Sequence, residues 1–198
     1  MAVVTLFAAF LAGSVPFGLL LARARGVDLS AVGSGNTGAT NTGRALGTTM
    51  GVLTFLLDGS KGVLGVWLGG LAATAWSPAA GGVLAVLGHC YSPFQGFRGG
   101  KGVAAAVGAV GVLAPGVVLA GAGGWIVVMV LTRMMSLSCL VMASLWPVAL
   151  ALGSGESGSG MPVQAALCFL PAFFLWTHRE NIARMRSGTE NRLGGTGS

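Results

Sequence analysis

The chain has 198 residues, of which 54% are hydrophobic and only 8% charged, and its mean hydropathy is +0.81. A soluble domain of this length needs roughly a quarter of its residues charged to solvate its surface; this chain cannot build such a surface, so its outside faces lipid. The net charge of +6 would suggest nucleic acid in a soluble protein, but here the basic residues lie in short loops between apolar runs, where they set orientation or meet small anions.

In chain order, the first apolar stretch, 3–22, carries no charge and is long enough to cross the roughly 30 Å hydrocarbon core. It lacks a basic n-region and an A-x-A site, so a removed signal peptide is not expected, and Pro16 and Gly18 predict a kink. A polar loop, 23–46, leads to a long apolar segment, 47–75, interrupted by the polar run Asp58-Gly59-Ser60-Lys61-Gly62. Further apolar segments follow at 79–91, 102–113, 116–131, 137–152 and 162–177, the third and fourth of the series being short for full spans. The expectation is an all-α integral membrane bundle of about seven transmembrane helices, some short or broken, forming a single domain over 1–198. The 35 glycines suit close helix–helix packing in lipid. With seven spans, Arg23, Arg25, Arg44, Arg98, Lys101, Arg133, Arg179, Arg184, Arg186 and Arg192 all fall on one side, and the opposite connections carry only Glu156. Excess Lys and Arg mark the cytoplasmic face, which places the N-terminus outside and the C-terminus in the cytoplasm. The Gly/Ser run 153–160 then reads as an outer loop. Cys90, Cys139 and Cys168 are scattered in apolar stretches without metal spacing and read as buried, inert thiols.

Three polar clusters lie on the basic side. In the first, Gly33-Ser34-Gly35-Asn36-Thr37-Gly38-Ala39-Thr40-Asn41-Thr42-Gly43-Arg44, small residues would leave backbone N–H groups open to an anion, and Arg44 adds a fork suited to phosphate. No G-x-x-x-x-G-K-[ST] pattern occurs, so this is not an ATP loop. The second runs from Gly88-His89 to Arg98-Gly99-Gly100-Lys101-Gly102, where a lysine opens a helix whose N-terminus favours anions. The third is His178-Arg179-Glu180-Asn181 through Arg184 to Glu190 and Arg192. It places His178, Asn181 and Met185 on one helical face and predicts an i,i+4 pair of Glu180 with Arg184. Each cluster also has a plainer explanation, as a flexible loop, a lipid-anchoring turn and a basic juxtamembrane helix respectively. Asp58 and Lys61, three apart within a span, would each cost roughly 3 kcal/mol unpaired; a mutual ion pair facing the bundle interior is the cheapest solution. Ser136 and Ser138 beside Arg133 are weaker candidates for substrate contact, and helix packing explains them equally well.

Taken together and in order, G-S-G-N-T-G-A-T-N…R, G-H…F-R-G-G-K-G and H-R-E-N-I-x-R…G-x-E resemble the motifs of the bacterial PlsY-type acyl-phosphate:glycerol-3-phosphate acyltransferases, end to end along the chain. The resemblance implies an enzyme of phospholipid synthesis in the bacterial inner membrane, with its active site at the cytoplasmic face. It would transfer a fatty acyl group from acyl phosphate, rather than from acyl-CoA or acyl-carrier protein, to glycerol 3-phosphate, without cofactor or metal. It further implies Ser34, Arg44, Lys101, His178 and Asn181 as catalytic residues. Phosphate binding would fall to Gly35, Asn36, Thr37, Gly38, Asn41, Arg44, His89, Gly100, Lys101, Gly102 and Arg184, and structural support to Asp58, Lys61 and Glu190. The partners implied are the two substrates and the bilayer, with the soluble enzyme that forms acyl phosphate as a further candidate and no nucleic acid. The general base stays open between His89, His178 and a substrate phosphate. The H-x-x-x-x-D pattern of acyl-CoA enzymes is absent: Phe94 and Ala183 stand five residues after the two histidines. The main rival is a transporter or channel for small anions, with Asp58 and Lys61 as gating groups, although no repeat in two halves is evident. A metal-dependent phosphotransferase would need more Asp than Asp28 and Asp58.

Overall fold

The computed structural model describes residues 1–153 and 160–194, and every regular element among them is helical. The chain divides into two compact units, Met1–Leu113 and Ala114–Ser198.

In the first unit, α1 (Ala2–Ser14) and α2 (Phe17–Arg23) form one 22-residue apolar stretch broken at Pro16. Proline has no N–H for the helical ladder and pushes the preceding residue out of helical geometry; Val15 accordingly adopts φ −60°, ψ 119°. The expected polar loop 23–46 contains a short helix, α3 (Ala39–Leu46), which the run of Thr, Asn and Gly had concealed. Next, α4 (Thr48–Gly70) runs unbroken through Asp58 and Lys61. A hairpin containing a 3-10 turn (Pro93–Gln95) joins α5 (Ser77–Cys90) to α6 (Val103–Leu113). The glycines form the packing seams. Gly62 of α4 lies against the Ala105 backbone of α6, Gly65 against Gly81 and Ala85 of α5, and Gly88 against Phe10 of α1; a Cβ at any of these would overlap its neighbour. Such close approach draws Asp58, Lys61 and His89 into the interior of the unit.

The second unit comprises α7 (Pro115–Thr132), α8 (Met135–Ala151), α9 (Met161–Thr177) and α10 (Arg179–Arg186), with a 59° bend between α9 and α10. Trp146 of α8 and Phe174 of α9, both fully buried, meet edge to face with ring centroids 6.3 Å apart. Most of the expected Gly/Ser loop, including Glu156, lies at 154–159, outside the described residues. Cys90 and Cys139 are buried as expected; Cys168 is not, because it sits on the outer side of α9.

By length and composition three helices could cross a membrane (Ala2–Arg23, Thr48–Gly70 and Pro115–Thr132), and a fourth if the bent pair Met161–Thr177 and Arg179–Arg186 counts as one span. Helices α6 and α8 are apolar but shorter. Large apolar side chains such as Val3, Phe7, Leu56, Leu119 and Val130 stand exposed on these helices, a surface suited to lipid rather than water.

Candidate functional site

In the first cluster, Asp28 caps the turn Leu29–Ala31: its Oδ1 accepts from Ser30 N at 2.9 Å and Ser30 Oγ at 2.7 Å. These two bonds, the side-chain one foremost, hold the Asp28 carboxyl below its ordinary value. Gly33 and Gly35 then take φ +55° and +67°, values that side chains rarely adopt. Asn41, 2% exposed on α3, reaches back across this turn. Its Oδ1 accepts from Ser34 N at 3.0 Å while its Nδ2 donates to Leu29 O at 3.1 Å. Asn36 Oδ1 accepts from Gly38 N at 2.9 Å, and Gly35 N donates to Val32 O at 2.9 Å. The expectation of open amides along this loop is therefore corrected at Ser34, Gly35 and Gly38, whose N–H groups are bonded within the loop. Asn36 and Asn41 build its shape. Thr37, the Ser34 side chain and Arg44, half-buried and laid over Gly33, remain at its surface.

The second cluster is strapped to the end of α5. Gly99 N donates to Cys90 O at 2.9 Å and Gly100 N to His89 O at 3.1 Å, while Ser92 Oγ donates to Ser14 O of α1 at 2.6 Å. Gly102, at φ +86°, turns the chain into α6, and its carbonyl accepts from Ala106 N at 2.9 Å. That geometry leaves the first-turn amides of α6 without helical acceptors beside the half-buried Lys101. His89 lies beneath the turn, 7% exposed, with its Nε2 against Gly100, where a Cβ would collide with the ring. Its Nδ1 is 3.0 Å from Lys61 Nζ. Lys61 in turn pairs with Asp58 at 2.7 Å, the expected ion pair, and also donates to Val15 O at 2.8 Å across the break in the first span.

In the second unit, His178 sits at the α9–α10 bend, 2% exposed, with Nδ1 3.0 Å from Phe174 O. A carbonyl can only accept, so Nδ1 carries a proton. His178 caps α10, accepting from Ile182 N at 2.9 Å, and Asn181 on the first turn of that helix is likewise buried. Arg184 pairs with Glu190 rather than as the expected partner of Glu180, Nε to Oε2 at 2.9 Å. Glu190 Oε1 accepts from Asn181 Nδ2 at 2.6 Å and Ser136 Oγ at 2.7 Å. One carboxylate thus braces α8, α10 and the tail. Ser136 is committed to it, and Ser138 bonds back to Met134 O within the α8 turn. Desolvation pushes the Glu190 carboxyl up, but the hydrogen bonds from Ser136, Asn181 and Arg184, with the Arg184 charge, hold it below its ordinary value on balance. A depressed native value means the ionised form favours folding. The stabilisation is therefore complete above the unfolded carboxyl range and lost as pH falls through the lower native value. Thermal unfolding of the protein should show an acid destabilisation that Glu190→Gln removes; equal acid slopes in both proteins would refute the brace.

The glycerol-3-phosphate acyltransferase family profile matches residues 3–188. The chain is 42% identical to glycerol-3-phosphate acyltransferase 1 of Deinococcus radiodurans, over 98% of this chain and 96% of that one. It is 43% identical to the enzyme of Geobacter sulfurreducens, over 93% and 94%. The chain belongs to the glycerol-3-phosphate acyltransferase family. Crystal structures of PlsY, an integral membrane member, superpose with TM-scores of 0.89 for its glycerol 3-phosphate form and 0.87 for its lysophosphatidic acid form. Sequence identity is 37% and 36%, each over 98% of this chain. The family places the apolar helices of this chain in a membrane.

Proposed function

We propose that this chain transfers a fatty acyl group from acyl phosphate to the 1-hydroxyl of glycerol 3-phosphate, giving 1-acyl-glycerol 3-phosphate and inorganic phosphate. The observation that carries this reading is the 37% identity, along 98% of the chain, to the PlsY structure in its glycerol 3-phosphate form.

The chemistry follows from the substrates. An acyl phosphate is a mixed anhydride with a good leaving group, so the hydroxyl oxygen attacks the acyl carbon directly. The C–O bond to phosphate breaks, and the hydroxyl proton passes to a base. No acyl-enzyme is required, and no cofactor or metal is called for. Lys101, Arg44 and the α6 N-terminus neutralise phosphate charge in ground and transition states, while Ser34, Thr37 and Gly102 shape the surface that receives it. Asn36, Gly38 and Asn41 serve by fixing the loop, as their internal bonds suggest. His178 and Asn181 act at the reacting groups, Arg184 and Glu190 hold Asn181 in place, and the acyl chain stays in lipid. His178 Nε2 or a substrate phosphate takes the proton.

We place the protein as one acyltransferase domain over 1–198, multi-pass in the inner membrane, with about seven helical spans, the N-terminus outside and the three clusters facing the cytoplasm. The concentration of Lys and Arg in alternate connections supports that orientation. The soluble enzyme that forms acyl phosphate is the natural supplier at that face.

Labelled glycerol 3-phosphate offered to the purified protein with palmitoyl phosphate, palmitoyl-CoA or palmitoyl-carrier protein, without added metal, tests this. Lysophosphatidate should form from the acyl phosphate alone. A folded sample giving no product from any donor would sink the reading and turn attention to anion flux in liposomes.

A further inference from the structure

We infer that Asp58 and Lys61 act through His89: they fix its imidazole in the Nε2–H form, making it a permanent hydrogen-bond donor to a phosphate group at the Gly99–Gly102 turn and closing it as a general base.

A lysine ammonium has three N–H bonds and no lone pair. Lys61 Nζ donates to Val15 O at 2.8 Å, lies 3.0 Å from His89 Nδ1 and forms an ion pair with Asp58 Oδ1 at 2.7 Å. An ammonium ion-paired to the Asp58 carboxylate has no lone pair and can only donate to Nδ1. The neutral ring then has one place left for its proton, which is Nε2. Protonating Nδ1 as well would set an N–H against the ammonium, so the ring cannot cycle a proton there without breaking the Lys61 contact. Asp58 Oδ1, which could accept from a protonated Nδ1, lies 3.6 Å away, farther than Lys61 Nζ.

The donor end of the ring faces the phosphate turn. Nε2 lies against Gly100, next to Lys101 and the first turn of the 11-residue helix α6. His89 is 7% exposed, and no protein acceptor for Nε2 is recorded among the described residues. The backbone amides of Gly99 and Gly100 are bonded to carbonyls of α5, so the turn cannot move independently of the ring. A donor on a buried ring, held rigidly beside a lysine and without an acceptor among the described residues, suits an anionic oxygen. Only the identity of that anion rests on the acyltransferase reading; the tautomer does not.

The chain has two histidines, so 15N-histidine labelling of the full-length protein in nanodiscs yields two rings, which a His89→Gln sample assigns. His89 should carry its proton on Nε2, opposite to His178, and Lys61→Met should shift it to a mixture of tautomers. The Nε2 resonance should move on adding glycerol 3-phosphate alone or palmitoyl phosphate alone, and the one that moves it names the phosphate it binds. A proton on Nδ1 in the unaltered protein would overturn the inference, as would an Nε2 signal indifferent to both substrates. Failure of the unaltered protein to acylate glycerol 3-phosphate counts against the acyltransferase reading instead, and the tautomer signal still decides this one.

Discussion

Lys61→Met should destabilise the protein by about 3–5 kcal/mol, the cost of leaving one member of a buried ion pair without its partner. Both side chains are almost wholly enclosed, 3% and 2% exposed, so water does not screen the loss as it would at a surface. Asp58 would keep a carboxylate in the interior, His89 Nδ1 would lose its donor, and Val15 O would lose the contact that ties α4 to the broken first span. Replacing both charges together, as Asp58→Leu with Lys61→Met, should recover much of the stability, because a well-packed apolar pair carries no desolvation cost. Unfolding in mixed micelles, read as a double-mutant cycle, measures this. A single variant within about 1 kcal/mol of the starting protein would mean the pair behaves like an exposed one and that something other than charge compensation retains it.

The largest effect on turnover is expected at Lys101. Lys101→Met keeps the length and apolar stem of the side chain and removes only its charge. It should lower kcat/KM for glycerol 3-phosphate by about 100-fold or more, in line with the loss of one preorganised electrostatic contact to developing charge. Stability should change little, since Lys101 is half-buried in a turn whose shape is held by the Gly99 and Gly100 amides and by Gly102 at φ +86°. A stopped assay with palmitoyl phosphate, paired with a melting curve, separates the two contributions. Turnover within about threefold of normal would remove Lys101 from phosphate stabilisation and leave Arg44 as the leading cation. Arg44→Lys is the informative companion: it keeps the charge and removes only the planar fork, so any loss there reports bidentate recognition.

Some of the site was visible in the chain itself. Asp58 and Lys61 announced their pairing because two charges three residues apart in an apolar helix have few other solutions. The Gly-flanked Lys101 and the Gly/Asn-rich run before Arg44 announced anion chemistry because few other uses require those residue types at that spacing. Other roles needed the fold for a common reason. Asn36 and Asn41 read as ligand donors, and the fold adds that the amide oxygen of each accepts from a backbone N–H of the loop. Ser136, explained as readily by helix packing as by substrate contact, gives its hydroxyl to Glu190, 54 residues later. Helix α3 stayed hidden because Thr, Asn and Gly are weak helix formers, and Gly43 and Gly51 let it pack closely on α4 regardless.

Composition, hydropathy and the order of the polar clusters were therefore sufficient for the class of protein and the kind of group it handles. Those are properties of local sums, and a bilayer punishes any other arrangement. Which polar groups are used up by the protein was a matter for the fold alone. Lys61 meets His89 across 28 residues and Val15 across 46, and no local pattern specifies such pairs. Close helix contacts through glycine bring them within bonding distance. Their shared geometry, more than the identity of any one of them, determines that one imidazole donates where the other accepts.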